Sequence, residues 1–490
     1  LTKDGSEDVP PFVWAVLRIA SVSSATAGTA DFLYAGEDAQ TSTKREWRLG
    51  YWNDARGWPT CGVFHKGRLW LASSATHPEN VWGSEAESFL RFAPAPNAAF
   101  EDGIIPGATA TNAVTLVASD DQAALIRWLL PIRPMIAGCS AGEQSIKASS
   151  LDEAIGPDNA TISPSSSVGA ANTPPARVDN LGLFLDRTQR RLYEVAYRLQ
   201  DDNVAPVDLS LHAEHIGQGS PLKRIAWQRN PWRVLWACRE DGQLAGCTYE
   251  REQEVVAWHR HPLGGLDARV LDLAVIPGVG QDELWCVVER QINGESRRFL
   301  EHMTNDRWAA SPGDRGDWCY ADSALSYSGA PVTVLSGLDH LENETVTVLA
   351  DGAAQVAKIV LNGAIALDPP ASVVQVGLGY SSVLETNNLE LGNPLGAAVG
   401  RPKTLHSVTA LLFDSLGGRL GPAMDRLEAL LYRTPGTAMD AAPPLFTGAK
   451  TVEWPGGWQR EKRILFVQDQ PLPLNLAGFV PQMQTNEMVV

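Results

Sequence analysis

The sequence predicts a mainly β protein: a β-propeller of about five irregular blades, followed by a smaller β-barrel or platform module. Three observations predict it. Asp241-Gly242, Asn293-Gly294, Asp351-Gly352, Asn362-Gly363 and Gly417-Gly418 each sit between apolar or alternating runs. Such pairs adopt positive φ at little cost and close two-residue hairpins with the twist that strands require. A short core strand recurs around Trp70, Ile136, Tyr193, Leu235 and Trp285, at intervals of 66, 57, 42 and 50 residues. A four-stranded blade needs ~40–50 residues, so the later intervals fit and the earlier ones require insertions. Helical periodicity is scarce. Only Ala423 to Tyr432, with Met424, Leu427, Leu430 and Leu431, has the i, i+3, i+4 spacing, and an extended run fits it as well.

In chain order, residues 1–50 form an N-terminal β segment. Residues 12–30 faintly resemble a signal peptide, but Arg18 interrupts the apolar part and Asp4, Glu7 and Asp8 stand where positive charge belongs. Strand and turn are expected there. The propeller spans 51–305. Its opening hairpin runs Thr60 to His65, turns at Lys66-Gly67 and returns as Arg68 to Ala72. Residues 149–178, rich in Ser, Ala, Asn and Pro, are expected to be an inserted loop. Residues 306–330 are a turn-rich linker. From Pro331 to 490, short strands on tight turns (Thr345 to Leu349, Lys358 to Leu361, Val373 to Leu378, Leu405 to Phe413, Arg463 to Val467) make a meander able to close into a barrel. Pro471 and Pro473 mark a sheet edge.

Composition removes several function classes. The net charge is −17, so nucleic acid should be repelled unless a local basic groove exists. The densest basic clusters, Arg187 with Arg190 and Arg191, and Arg460 with Lys462 and Arg463, are short and read as solvated strand edges. Sixteen tryptophans suit packed sheet faces. The six cysteines contain no C-x-x-C pair; Cys238 and Cys247 flank the Asp241-Gly242 turn, and reduced core thiols are expected. No apolar run approaches the ~20 residues that cross a bilayer.

Chemical motifs are few. Gly138-Cys139-Ser140-Ala141-Gly142 matches G-x-S-x-G, but a nucleophile elbow needs a following helix, and Glu143 to Lys147 reads as a turn into a strand. His259-x-His261 would share one face of a strand, and His212-x-x-His215 is a looser pair; neither has a carboxylate or thiolate at zinc-site spacing. Asp120-Asp121, Asp201-Asp202 and Glu342-x-Glu344 are the carboxylate pairs to weigh for glycoside cleavage, which needs two carboxyls ~5–9.5 Å apart across a cleft. Adjacent acidic residues more often sit in solvated turns. No phosphate-cradling loop is present: the Gly-x-Gly at 278–280 and at 377–379 lacks the third glycine and the helix. No catalytic residue, cofactor or metal is expected.

Several blocks resemble, in the same order, the tail nozzle proteins (tail tubular protein B) of short-tailed bacteriophages. They are Gly57-Trp58-Pro59-Thr60 through Trp82-Gly83-Ser84-Glu85 to Phe89-Leu90-Arg91-Phe92; Gly246 to His259; Arg298 to Met303; Gly337 to Glu342 with Val346 to Gly352; Val376 to Tyr380 with Leu384 to Thr386; and Phe446-Thr447-Gly448. The resemblance implies a propeller with a β-rich platform and no catalytic site. It implies a homohexameric ring below the tail adaptor ring, with tail fibres or spikes as further neighbours, assembled in the host cytoplasm and residing in the virion tail. DNA would pass through the channel without specific binding. Family members carry a longer region before the Trp-Pro block, so 1–50 is expected to be a truncated segment. Asp120, Asp121, Asp201 and Asp202 are candidates for acidic loops facing the channel. Two other readings of the same chain are a propeller hydrolase of surface glycans and a monomeric protein-binding propeller.

Overall fold

The computed structural model describes residues 15–35, 50–92, 109–118, 125–150, 153–198, 200, 203–304, 318–390, 392–393, 396–397, 400–436 and 442–486. The chain divides into two compact units, Leu1–Trp227 and Gln228–Val490. The structure is mainly β, organised as several four-stranded antiparallel sheets.

In the first unit, β1 (Ala15–Ser24) and β2 (Ala27–Ala35) form a hairpin. Three consecutive meanders follow. β3 (Cys61–His65), β4 (Arg68–Ala72), β5 (Asn80–Gly83) and β6 (Val114–Val117) make the first sheet. β7 (Ile126–Leu130), β8 (Met135–Cys139), β9 (Glu143–Lys147) and β10 (Thr161–Pro164) make the second. β11 (Ala176–Val178), β12 (Leu181–Leu185), β13 (Leu192–Arg198) and β14 (Asn203–Asp208) make the third. The predicted opening hairpin forms as expected: Lys66 (φ 45) and Gly67 (φ 72) both take the left-handed region that a two-residue turn of this twist demands.

Successive sheets bury opposite faces of the same strands. Met135, Ala137, Cys139 and Ile126 pack with Trp70, Val81 and Val114 of the first sheet. Ile136, Trp128 and Leu130 pack with Phe184, Val195 and Val204 of the third. That is the period-two alternation of a strand buried on both sides. A bulge between Ile126 and Trp128 resets the alternation along β7. Each fully buried large side chain contributes about 1.5–3 kcal/mol. Within the second sheet the Trp128 ring, against which Phe184 of the third sheet packs, lies over its cross-strand partner Gly138, where a Cβ would overlap it.

The expected inserted loop at 149–178 is instead partly sheet. It supplies β10 and β11, the flanking strands of two sheets. Its small polar residues suit an edge, where pairing is through the backbone: Ser163 pairs with Ser145 and their hydroxyls lie 3.1 Å apart. The one α-helix among the described residues, α1 (Glu214–Gln218), is too short to carry a periodic signal.

The division between the units falls at the end of β15 (Leu222–Gln228). In the second unit, β16 (Val234–Arg239), β17 (Leu244–Glu250) and β18 (Val255–His261) form an antiparallel meander. A three-stranded sheet of longer strands follows: β19 (Leu266–Pro277), β20 (Asp282–Ile292) and β21 (Glu295–His302). β22 (Asp322–Ser336), β23 (Thr345–Ala350), β24 (Ala353–Ile359) and β25 (Ala364–Leu378) form a sheet in the order β22-β25-β23-β24. The remaining strands are β26 (Ser382–Glu385), β27 (Gly392–Asn393), β28 (Gly396–Ala397), β29 (Lys403–Ser415), β30 (Arg419–Ala423), β31 (Arg426–Ala429), β32 (Phe446–Glu453), β33 (Leu465–Gln468) and β34 (Asn475–Thr485). They lie in the sheets β26-β33-β30-β31 and β32-β29-β34 and the small pair β27-β28. Among the described strands none of these sheets closes on itself, so the expected barrel is not formed by them.

Two sequence expectations change here. Gly417-Gly418 has positive φ at both residues but joins β29 to β30, which belong to different sheets; the pair turns the chain without closing a hairpin. Ala423 to Tyr432 is the extended alternative, the hairpin β30–β31, because Leu420 packs into a core with Leu405, Val408 and Phe466 that only a sheet presents.

A buried charge cluster pins β20, β21 and β22. Arg290 has no exposed surface. Its two terminal nitrogens grip Glu301, one of them lies 3.5 Å from Asp322, and Nε donates to the Gly264 carbonyl at 2.8 Å. Ser323 donates to Glu301 and the Gly264 N–H donates to Asp322. The guanidinium is thereby fully matched, as a buried charge must be.

Candidate functional site

Within the first unit, the tips of the second and third sheets border an open polar cavity of about 470 Å³. It is lined by Arg127, Ser140, Asn172, Arg187, Thr188 and Gln189, with Ala170 and Ala171. Local folding explains each position. Ser140 lies in the β8–β9 turn, so the G-x-S-x-G motif leads into a strand rather than a helix. Its Oγ accepts the Leu125 N–H at 3.2 Å. The next wall is the segment 169–172, laced between the sheets: the Ala170 N–H donates to the Cys139 carbonyl at 2.8 Å and the Ala171 N–H to the Leu185 carbonyl at 3.0 Å. Gly169 has φ 81 and its Cα faces the Ser140 carbonyl at a distance that leaves no room for a Cβ, so the close approach needs glycine. The opposite wall is the β12–β13 turn. Asp186 shapes it by accepting the Arg190 and Arg191 N–H groups on Oδ1 (2.9 and 3.0 Å) and the Thr188 N–H and hydroxyl on Oδ2 (3.2 and 2.6 Å).

Beside this cavity lies a buried carboxyl. Glu143, on β9, has no exposed surface; Ser166 donates to its Oε2, and its Oε1 has no partner. Burial pushes its pKa up from the ordinary 4.5 to about 6, against the lowering effect of the Ser166 hydroxyl and of backbone N–H groups including that of Gly169. Sequence reasoning missed Arg127 and Glu143. The available signal was a charged residue set in an otherwise apolar strand, Ile126-Arg127-Trp128-Leu129-Leu130, and a Glu-Gln pair opening a strand.

Asp120, Asp121, Asp201 and Asp202 lie outside the described residues. Glu342 and Glu344 are committed to turns: Glu342 accepts the Asn362 and Gly363 N–H groups at 2.9 and 2.7 Å, and Glu344 accepts that of Asn293 at 3.0 Å. Each serves as a turn lock. Asn293-Gly294 and Asp351-Gly352 close true hairpins with positive φ at both residues.

His259 and His261 share one face of β18, as the spacing predicts, with Nδ1 of the first 2.7 Å from Nε2 of the second. Both rings pack edge-on against Trp236. Burial lowers both pKa values, that of His261 to about 4, so the pair is neutral near pH 7. Among the described residues no group of three His, Cys, Asp or Glu is placed to hold a metal ion. His212 and His215 are exposed around the start of α1. Cys238 and Cys247 are thiols, not joined in a disulfide. Cys238 pairs with Leu244, three residues from Cys247, so the two side chains point to opposite faces of the sheet. In the basic clusters, Arg191 is paired with Asp208 and Glu214 and Arg463 with Glu385, while Lys462 is buried.

No protein-family model matches the chain, and no curated protein does. Solved structures give distant likenesses. A luciferin-regenerating enzyme is 12% identical over 45% of this chain and 80% of its own, with a TM-score of 0.20. Raptor of Chaetomium thermophilum is 10% identical over 66% of this chain and 28% of its own, at 0.24. A bifunctional GH43-CE protein of Bacteroides eggerthii is 9% identical over 84% of this chain and 62% of its own, at 0.25. At these scores the likenesses carry no weight for fold or function.

Proposed function

We propose that the chain is a non-enzymatic structural component of a short bacteriophage tail, the distal nozzle that retains DNA and conducts it during ejection. The observation that carries this reading is the ordered set of sequence blocks from Gly57 to Gly448 that resembles nozzle proteins. In this reading the four four-stranded sheets and the three-stranded sheet from β3 to β21 are five irregular propeller blades, and the strands from β22 onward are the platform. Subunits meet head to tail around a ring, with the tail adaptor above and fibres or spikes as neighbours.

The physics is compatible with it. A conduit for DNA works best without adhesion, and a chain of net charge −17 repels phosphate and avoids the counterion release that a basic wall would favour. Of the carboxylate pairs weighed for glycoside cleavage, Glu342 and Glu344 hold turns, and the described cavity is lined by arginines without a carboxylate, which supports the reading. Light scattering on the purified chain tests the proposal: a closed ring reads about six times the 52.9 kDa subunit mass, and a single-subunit mass at every concentration contradicts it.

A further inference from the structure

We propose that the cavity between the second and third sheets is a binding site for a small hydroxylated anion, such as a uronic acid or a sugar phosphate. The argument starts from charge accounting. Elsewhere among the described residues, the buried arginines are matched. Arg68 spends its N–H groups on carbonyls, including that of Asn112 at 2.7 Å; Arg239 bonds Asp241; and Arg290 grips Glu301. Arg127 and Arg187 are different. Among the described residues neither has a carboxylate or carbonyl partner; the Nε of half-buried Arg127 is buried with nothing to bond, and Arg187 reaches the rim of the cavity from an exposed turn. Asp186, next to Arg187 in the chain, has both oxygens filled by the N–H and hydroxyl groups of its own turn.

Two guanidinium groups without carboxylate partners line one cavity of a protein with net charge −17, Arg127 half-buried and Arg187 exposed at the rim, so the cavity wall is locally cationic and suits an anion. The guanidinium fork matches a carboxylate or a phosphate bidentately. The rest of the lining selects beyond charge. The Ser140 and Thr188 hydroxyls and the Asn172 and Gln189 amides offer donors and acceptors to ligand hydroxyls. The volume of about 470 Å³ falls within the range of small-molecule sites. The walls are rigid: the 169–172 segment is bonded on both edges and the 186–191 turn is locked by its aspartate.

The test is calorimetry and saturation-transfer NMR on the full chain at low salt, with D-glucuronate, glucose 6-phosphate, inorganic phosphate and uncharged glucose as probes. The two charged sugars are expected to bind and glucose is not; which of the two binds more tightly separates a carboxylate ligand from a phosphate one. Arg187→Ala, at an exposed turn, and Arg127→Gln are each expected to weaken binding about tenfold or more. Arg463→Ala, a paired arginine in the other unit, should leave it unchanged and so controls for overall charge. Charged probes that ignore both cavity variants, or glucose binding as well as glucuronate, would overturn the assignment. Inorganic phosphate binding as tightly as the sugars would overturn its hydroxylated part.

Discussion

Replacing Glu143 by Gln should stabilise the protein at neutral and alkaline pH. The side chain has no exposed surface, one oxygen accepts from Ser166 and the other bonds nothing. Burial raises its pKa from 4.5 to about 6. Each pH unit between those two values corresponds to about 1.36 kcal/mol, so the ionised form costs the native state about 2 kcal/mol. The native state holds this proton more tightly than the unfolded chain does. Its contribution is therefore fully present below pH 4.5 and lost as pH rises through about 6. His65 and His261 work the other way, both lowered from 6.5 to about 4 chiefly by burial, so they weaken the fold as pH falls through that window. Both are common to the two proteins and cancel in the difference. Urea unfolding followed by tryptophan fluorescence, at several pH values from 4 to 8, is the assay. Glu143→Gln should equal wild type near pH 4 and exceed it by up to about 2 kcal/mol at pH 8. A difference that does not change with pH, or a wild type more stable at pH 8, refutes the reasoning.

Arg290→Met strands Glu301 and Asp322 without their cation and should cost about 3–5 kcal/mol in urea unfolding. Adding Glu301→Leu should recover part of that loss, and a single-variant cost under about 1 kcal/mol would contradict the pin. Gly138→Ala drives a methyl into the Trp128 ring, which Phe184 backs, and should lower stability by about 1–3 kcal/mol; a neutral effect would mean the sheets are less tightly packed than described. The thiols of Cys247 and Cys286, pushed up to about 12 by burial, should resist an aromatic disulfide reagent at pH 8 in the folded chain and react on unfolding; fast labelling of the native protein would oppose their burial.

Much of the fold was legible where local chemistry decides it. The left-handed conformations at Lys66-Gly67, Asn293-Gly294 and Asp351-Gly352 are properties of those residues, and each turn closes its hairpin. The recurring core residues also map well. Trp70, Ile136, Tyr193, Leu235 and Trp285 fall on β4, β8, β13, β16 and β20, each an inner strand of a separate sheet, because an inner strand must be apolar on both faces. Pairing decisions made far along the chain were not legible. Gly417-Gly418 turns like a hairpin, yet its two strands find partners in different sheets. Edge strands such as Thr161 to Pro164 carry no apolar signature, because the bonds that hold them are backbone bonds. The cavity was hidden for a related reason: Arg127, Ser140, Asn172 and Arg187 are scattered along the chain and meet only when two sheets pack. Their sequence signal reduces to one charge in the apolar strand β7 and one serine in a motif that suggested other chemistry.

Electron microscopy of the purified chain tests the central claim most directly. Rings of about six subunits with an open centre are what a conduit wall assembled head to tail predicts. Discrete single subunits at high concentration would contradict it.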